Sequence, residues 1–161
     1  MLKNRPVMQY IWPLLALGVA AGLFYSSSLT GYVSGDASMG IVYYVTEHLP
    51  FLLAVNADLL HFLLRKGAHF SAYFMLALCI AHGLKYYMGG YKLFLWAWGL
   101  ASLYGVTDEI HQYFVPGRSC LLSDMLINAA GAATGTAIVL LYLKHKTPHK
   151  MEGNDSSNIH T

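Results

Sequence analysis

A chain of 161 residues that is 56% hydrophobic and only 11% charged has room for one domain and too few charges to cover a soluble surface. Its net charge of +2, divided among separate segments, excludes the concentrated basic face that a nucleic-acid partner requires. Two cysteines are too few for a disulfide framework, and Cys79 and Cys120 fall at different depths of the expected spans, so no bridge is expected between them.

In chain order, the first apolar stretch runs from about Gln9 to Tyr25, close to the roughly 20 residues that cross a bilayer. Lys3 and Arg5 before it and Ser26-Ser27-Ser28 after it give the order of a secretory leader. The apolar run is long for a leader, however, and no clean small-x-small cleavage site follows. A retained span is expected, with Trp12 and Tyr25 at its two interfaces. The segment Leu29 to Ala57 is first glycine- and serine-rich, then apolar and aromatic through Ile41-Val42-Tyr43-Tyr44-Val45, and is stopped by Pro50. A short interfacial helix or a re-entrant piece fits it better than a crossing.

The second span is expected from about Asp58 to Leu84, starting as an interfacial helix around Arg65, Lys66 and His69 and bending at Gly67. Lys85 to Lys92, with Gly89-Gly90 and three tyrosines, suits a turn among the headgroups. The third and fourth spans follow at about Lys92 to Thr107 and Leu121 to Leu143. The expected fold is all-α: one polytopic transmembrane bundle over residues 1–145, with about four spanning helices and the interfacial or re-entrant segment. Residues 146–161 are polar and read as a disordered cytoplasmic tail.

Positively charged flanks remain in the cytoplasm. With both termini inside, Lys3, Arg5, Lys85, Lys92, Lys144, Lys146 and Lys150 are cytoplasmic, and only Arg65, Lys66 and Arg118 face out. The same topology puts Asp36, Glu47, Asp58, Asp108, Glu109 and Asp124 on the outer side.

Three separated stretches then bring polar residues to one depth. Lys66, His69 and Tyr73, at spacings of three and four, share a helical face, as do Asp108, His111 and Gln112. Asp124 and Asn128 are four apart, and Gly131 and Gly135 continue their stripe, permitting close helix contact. Charges at this depth are costly against lipid, so they are expected to face each other or a wet cleft and to mark a site.

Each residue has a plain and a sharper reading. Lys66 is a snorkelling interfacial lysine or an internal cation balancing Asp108 or Glu109. His69 is an interfacial hydrogen-bonding residue or a proton carrier. Asp108 and Glu109 are adjacent and point apart on a helix, so at most one is expected at the centre. Pro116-Gly117 is a turn that aims Arg118 into the cleft, where its planar fork suits a phosphate or carboxylate. Asp124 is a first-turn acid of the fourth span or a member of the cluster. Metal-ligand residue types are present without a recognised metal signature, so neither metal nor cofactor is expected. Glu109 or Asp108 paired with His69 would serve acid–base chemistry.

These residues resemble the VanZ-like family of bacterial membrane proteins, named for a protein associated with teicoplanin resistance. The resemblance rests on Arg65-Lys66-Gly67-Ala68-His69-Phe70 with Tyr73, on Thr107-Asp108-Glu109 with His111, Gln112 and Phe114, on Pro116-Gly117-Arg118, and on Asp124, Asn128, Gly131 and Gly135. It covers residues 65–135 and implies a multi-pass protein of the bacterial cell membrane. It also implies a role in lowering susceptibility to teicoplanin-type lipoglycopeptides by binding or altering an envelope component. Membrane lipids, a lipid-linked cell-wall precursor or the lipoglycopeptide itself are the partners implied. An intramembrane acid–base enzyme acting on a phosphate-bearing lipid or precursor stands as the alternative.

Overall fold

Where hydrocarbon replaces water, every backbone polar group must find its partner within the chain, and long apolar runs therefore close into helices. The computed structural model describes residues 7–54 and 56–146, and all regular structure among them is helical. The helices are α1 (Met8–Ser28), α2 (Gly31–His48), α3 (Ala57–Leu84), α4 (Gly90–Tyr113) and α5 (Leu122–Lys146), with a 3-10 turn at Pro50–Ala54. Three of them, α1, α3 and α5, are long and apolar enough to cross a membrane. α4 has 24 residues but carries Asp108 and Glu109 near its end, and it is not among those three. Leu14, Leu17, Leu103, Leu126 and Leu141 are exposed, the pattern of a bundle whose outer solvent is lipid.

α3 is the central element, packing against all four other helices and most extensively against α5. Asn56 caps its start, its side-chain oxygen accepting from the Asp58 and Leu59 amides at 2.8 and 3.3 Å. The helix then runs uninterrupted through Gly67 to Leu84, so the interfacial piece and the span are one 28-residue helix. A lone glycine costs only about 1 kcal/mol in a helix interior, and the packing of α3 against its neighbours outweighs it.

The segment expected as a short interfacial or re-entrant piece is the 18-residue α2. Thr30 caps it by accepting from the Val33 amide at 3.4 Å, and it ends ahead of Pro50, which cannot continue the amide ladder. α2 lies on α3 and buries Val42. α1 docks with Trp12 stacked on His82 at 4.3 Å between ring centres and with the Tyr104 hydroxyl donating to the Ala20 carbonyl at 2.6 Å. The expected turn between α3 and α4 is present, with Gly90 at φ +58°.

The glycine row binds α5 to α3. A β-carbon added at Gly131 would lie 2.3 Å from the Phe70 carbonyl oxygen, and one at Gly135 would lie 2.5 Å from that of Phe74. Backbone meets backbone there because nothing projects between the helices. The same packing brings the first turns of α5, the middle of α3 and the last turns of α4 together at one end of the bundle. Of the expected disordered tail, Lys146 is the last residue of α5; residues 147–161, together with Lys3 and Arg5, lie outside the described residues.

Candidate functional site

Two polar networks occupy that end of the bundle, and a cleft opens beside them. The first begins at the turn after α4. The Arg118 amide donates to the Val115 carbonyl at 3.1 Å, with Pro116 and Gly117 at the two central positions and Gly117 at φ +74°. That is the turn proline and glycine favour in this order. It seats Gly117 on Gly31, whose amide donates to the Pro116 carbonyl at 2.9 Å, and it returns Arg118 toward the bundle.

The Arg118 guanidinium is already engaged. It donates to the Leu29 carbonyl at 3.2 Å, the Ser26 carbonyl at 2.9 Å, the Ser34 hydroxyl at 3.2 Å and Gln112 Oε1 at 2.9 Å. Ser26 and Leu29 sit at the end of α1, where a helix leaves its last carbonyls without intrahelical partners. Gln112 in turn donates to Asp108 at 3.1 Å, and the buried Ser27 hydroxyl donates a short hydrogen bond to the same carboxylate. Burial lowers the Arg118 pKa from its ordinary value, with Arg65 acting in the same direction, but a guanidinium stays charged. Arg118 thus fastens α1, α2 and α4 together. Arg118→Lys, which keeps the charge but loses the fork, is expected to destabilise the protein by about 2 kcal/mol, measured as the thermal midpoint in detergent.

The second network lies between α3, α4 and α5. Lys66 pairs with Asp124 in a close ion pair, with Ser123 at 3.3 Å from the same ammonium. The expected balancing partners of Lys66, Asp108 and Glu109, are engaged elsewhere, because α5 rather than α4 faces it. His69 Nδ1 is 3.2 Å from Asn128 Oδ1 and 3.9 Å from Glu109 Oε1. The other oxygen of Glu109 accepts from the Leu121 amide at 3.2 Å. Asp124, Asn128, Glu109 and Tyr73 are all buried.

Asp108 and Glu109 are both central, contrary to the expectation that only one would be. They point apart, and the end of α4 is enclosed on both sides, by α1 on the Asp108 side and by α3 and α5 on the Glu109 side. Asp124 is a first-turn acid of α5 and a member of the cluster at once. His111 takes a different place: it stacks on Phe24 at 4.7 Å and lies 3.2 Å from the Ser28 hydroxyl, at the α1–α4 junction.

The cleft has a volume of about 660 Å³, within the range of small-molecule sites. Ser34, Ser38 and Ile41, on one face of α2, form one wall, and Leu60, Leu63 and Leu64 of α3 form another. Ser26, Ser27, Arg65, His69, Tyr73, Asp108, Gln112 and Arg118 supply polar lining. Among the described residues Arg65 has no hydrogen-bond or ion-pair partner, unlike its neighbour Lys66. The serines of α1 and α2 and the distinct position of Arg65 were not legible as site features in the sequence. The clue available for the serines was their i, i+4 spacing on α2.

A family model described as VanZ/LLP1 matches residues 12–143. The chain belongs to the VanZ/LLP1 family. No curated protein and no solved structure matches it. The VanZ/LLP1 match takes in all of α2 and the whole polar end of the bundle, including the α1 serines that the motif stretches alone did not cover.

Proposed function

We propose that this VanZ/LLP1 protein acts at the outer face of the bacterial cell membrane. There its cleft binds a phosphate-bearing amphiphile of the envelope, a membrane lipid or lipid-linked cell-wall precursor, and so lowers susceptibility to teicoplanin-type lipoglycopeptides. Both termini are cytoplasmic in this reading, with α1, α3, α4 and α5 crossing. Its support is the seven cytoplasmic against three outer basic residues and the gathering of polar groups at one bundle end.

One observation carries the reading. A guanidinium without a protein partner among the described residues, that of Arg65, lines a cleft with serine hydroxyls on one side and leucines on another. A planar fork with free donors suits a phosphate, and the leucine wall suits an acyl or isoprenoid chain. Lys66 and Arg118 are occupied by Asp124 and by backbone carbonyls, so the phosphate role assigned to Arg118 from sequence passes to Arg65.

The test uses protein in phosphatidylcholine nanodiscs titrated with a short-chain phosphatidic acid. Losing one charge-assisted contact of about 1.5–3 kcal/mol predicts at least about a tenfold weaker affinity for Arg65→Gln. Helical content and thermal midpoint should not change. Equal affinity for wild type and variant would remove the proposal. In cells, Arg65→Gln should insert normally and lose any protection against teicoplanin.

The approach of His69 to the buried Glu109, 3.9 Å, favours a second reading in which the bound lipid is chemically altered by acid–base catalysis. Mass spectrometry of envelope lipids and wall precursors separates the two. New species that vanish with Glu109→Gln support the enzyme, and an unchanged profile on expression of the wild type rejects it.

A further inference from the structure

We infer that His69, Glu109 and Asp124 form a binding site for a divalent transition-metal ion of the zinc or manganese class. One ligand atom from each residue lies within 4.8 Å of the others, and the two carboxylates are completely enclosed. Ligands at 2.0–2.2 Å from a common ion stand about 3–3.5 Å apart, so small side-chain rotations close the set.

Independent of that spacing, two oxygens in the cluster accept no hydrogen bond. Glu109 Oε1 and Asp124 Oδ2 are buried with no hydrogen bond, and Oε1 is the atom that faces His69 Nδ1. Buried carboxylate oxygens in this state require a cation or a donor. Lys66 is the one cation within ion-pair distance of either acid among the described residues, and it meets the other oxygen of Asp124. Among the described residues Glu109 has no ammonium or guanidinium within that distance, only the His69 ring at 3.9 Å.

The remaining atoms of the ligands are held as metal ligands usually are, by a second set of partners that fixes their orientation. The Leu121 amide fixes Glu109 Oε2, and Lys66 fixes Asp124 Oδ1. One nitrogen and two oxygens suit borderline ions better than calcium or magnesium, which take all-oxygen sets. Three protein ligands leave a coordination position open, and His69 lines the cleft, so that position is reachable from outside. The site stands or falls separately from lipid binding at Arg65.

The experiment strips protein in nanodiscs with a chelator, removes the chelator, and titrates with Zn²⁺ alone by calorimetry, with metal content read by mass spectrometry. One ion per chain is expected, with at least about a tenfold loss of affinity in Glu109→Gln and in Asp124→Asn. Lys85→Gln, at the opposite end of α3, should bind Zn²⁺ as the wild type does. Absence of a stoichiometric ion, or equal uptake by the wild type and Glu109→Gln, overturns the inference. Should the variants fail to fold, X-ray absorption at the zinc edge of the loaded wild type decides. One imidazole among oxygen ligands upholds the site, and any other ligand set rejects it.

Discussion

Gly131→Ala is expected to force α3 and α5 apart and to lower stability by about 1–3 kcal/mol. The added methyl would sit 2.3 Å from the carbonyl oxygen of Phe70, and a backbone atom inside a helix cannot rotate away as a side chain can. The helices must separate, and the polar network that depends on their closeness must stretch with them, since His69 is one residue from Phe70 and Asn128 is three from Gly131. Gly135→Ala repeats the clash one turn along, 2.5 Å from the Phe74 carbonyl, so the double variant should lose more than either single one. Gly99→Ala provides the contrast. A β-carbon at Gly99 meets nothing within 4 Å, and the site is inside α4, so the gain in helix propensity should leave stability equal or higher by up to about 1 kcal/mol. Thermal unfolding of the three single variants and the double variant in one detergent measures the difference. Loss of stability in Gly99→Ala equal to that in Gly131→Ala would mean that close helix contact is not what the glycine row supplies.

That contact was legible in the sequence because small residues four apart beside polar ones describe a helix face. The face shared by Lys66, His69 and Tyr73 was legible for the same reason, and so was the turn at Pro116-Gly117, where residue type alone dictates the backbone. Less legible was how adjacent residues divide their tasks. Arg65 and Lys66 differ by about 100° around α3; the second meets Asp124 and the first lines the cleft. Asp108 and Glu109 differ by the same angle on α4, and each found a partner because neighbouring helices enclose both sides. Only the docking of α1 and α5 decides such pairings, and docking is a property of the whole bundle. Ser27 is the plainest case: in the sequence it belongs to an ordinary serine triplet, and in the fold it is buried against Asp108 at a separation of 81 residues. The extent of α3 was legible, but its continuity through Gly67 was missed for a related reason, since Gly67 weakens a helix locally while the packing that overrides it is contributed by other segments.

Lys66→Met should be the more damaging of the two largest changes, at about 3–5 kcal/mol. Asp124 is 1% exposed, and without the ammonium its carboxylate keeps only the Ser123 hydroxyl, 3.4 Å from one oxygen. The cost comes from the stranded charge, not from the lost attraction, because the pair spent much of that attraction on leaving water. Removing the other partner is therefore not symmetrical. In Asp124→Leu the stranded group is Lys66, whose side chain is 14% exposed and whose flexible stem can carry the ammonium outward, so the loss should be smaller. Combining Lys66→Met with Asp124→Leu removes both charges and fills the gap with apolar volume, and most of the stability should return. Denaturant unfolding of the wild type, both single variants and the double variant forms a complete thermodynamic cycle. A double variant as unstable as Lys66→Met alone would show that the damage lies in packing around position 66, and the ion pair would then have no part in holding α5 to α3.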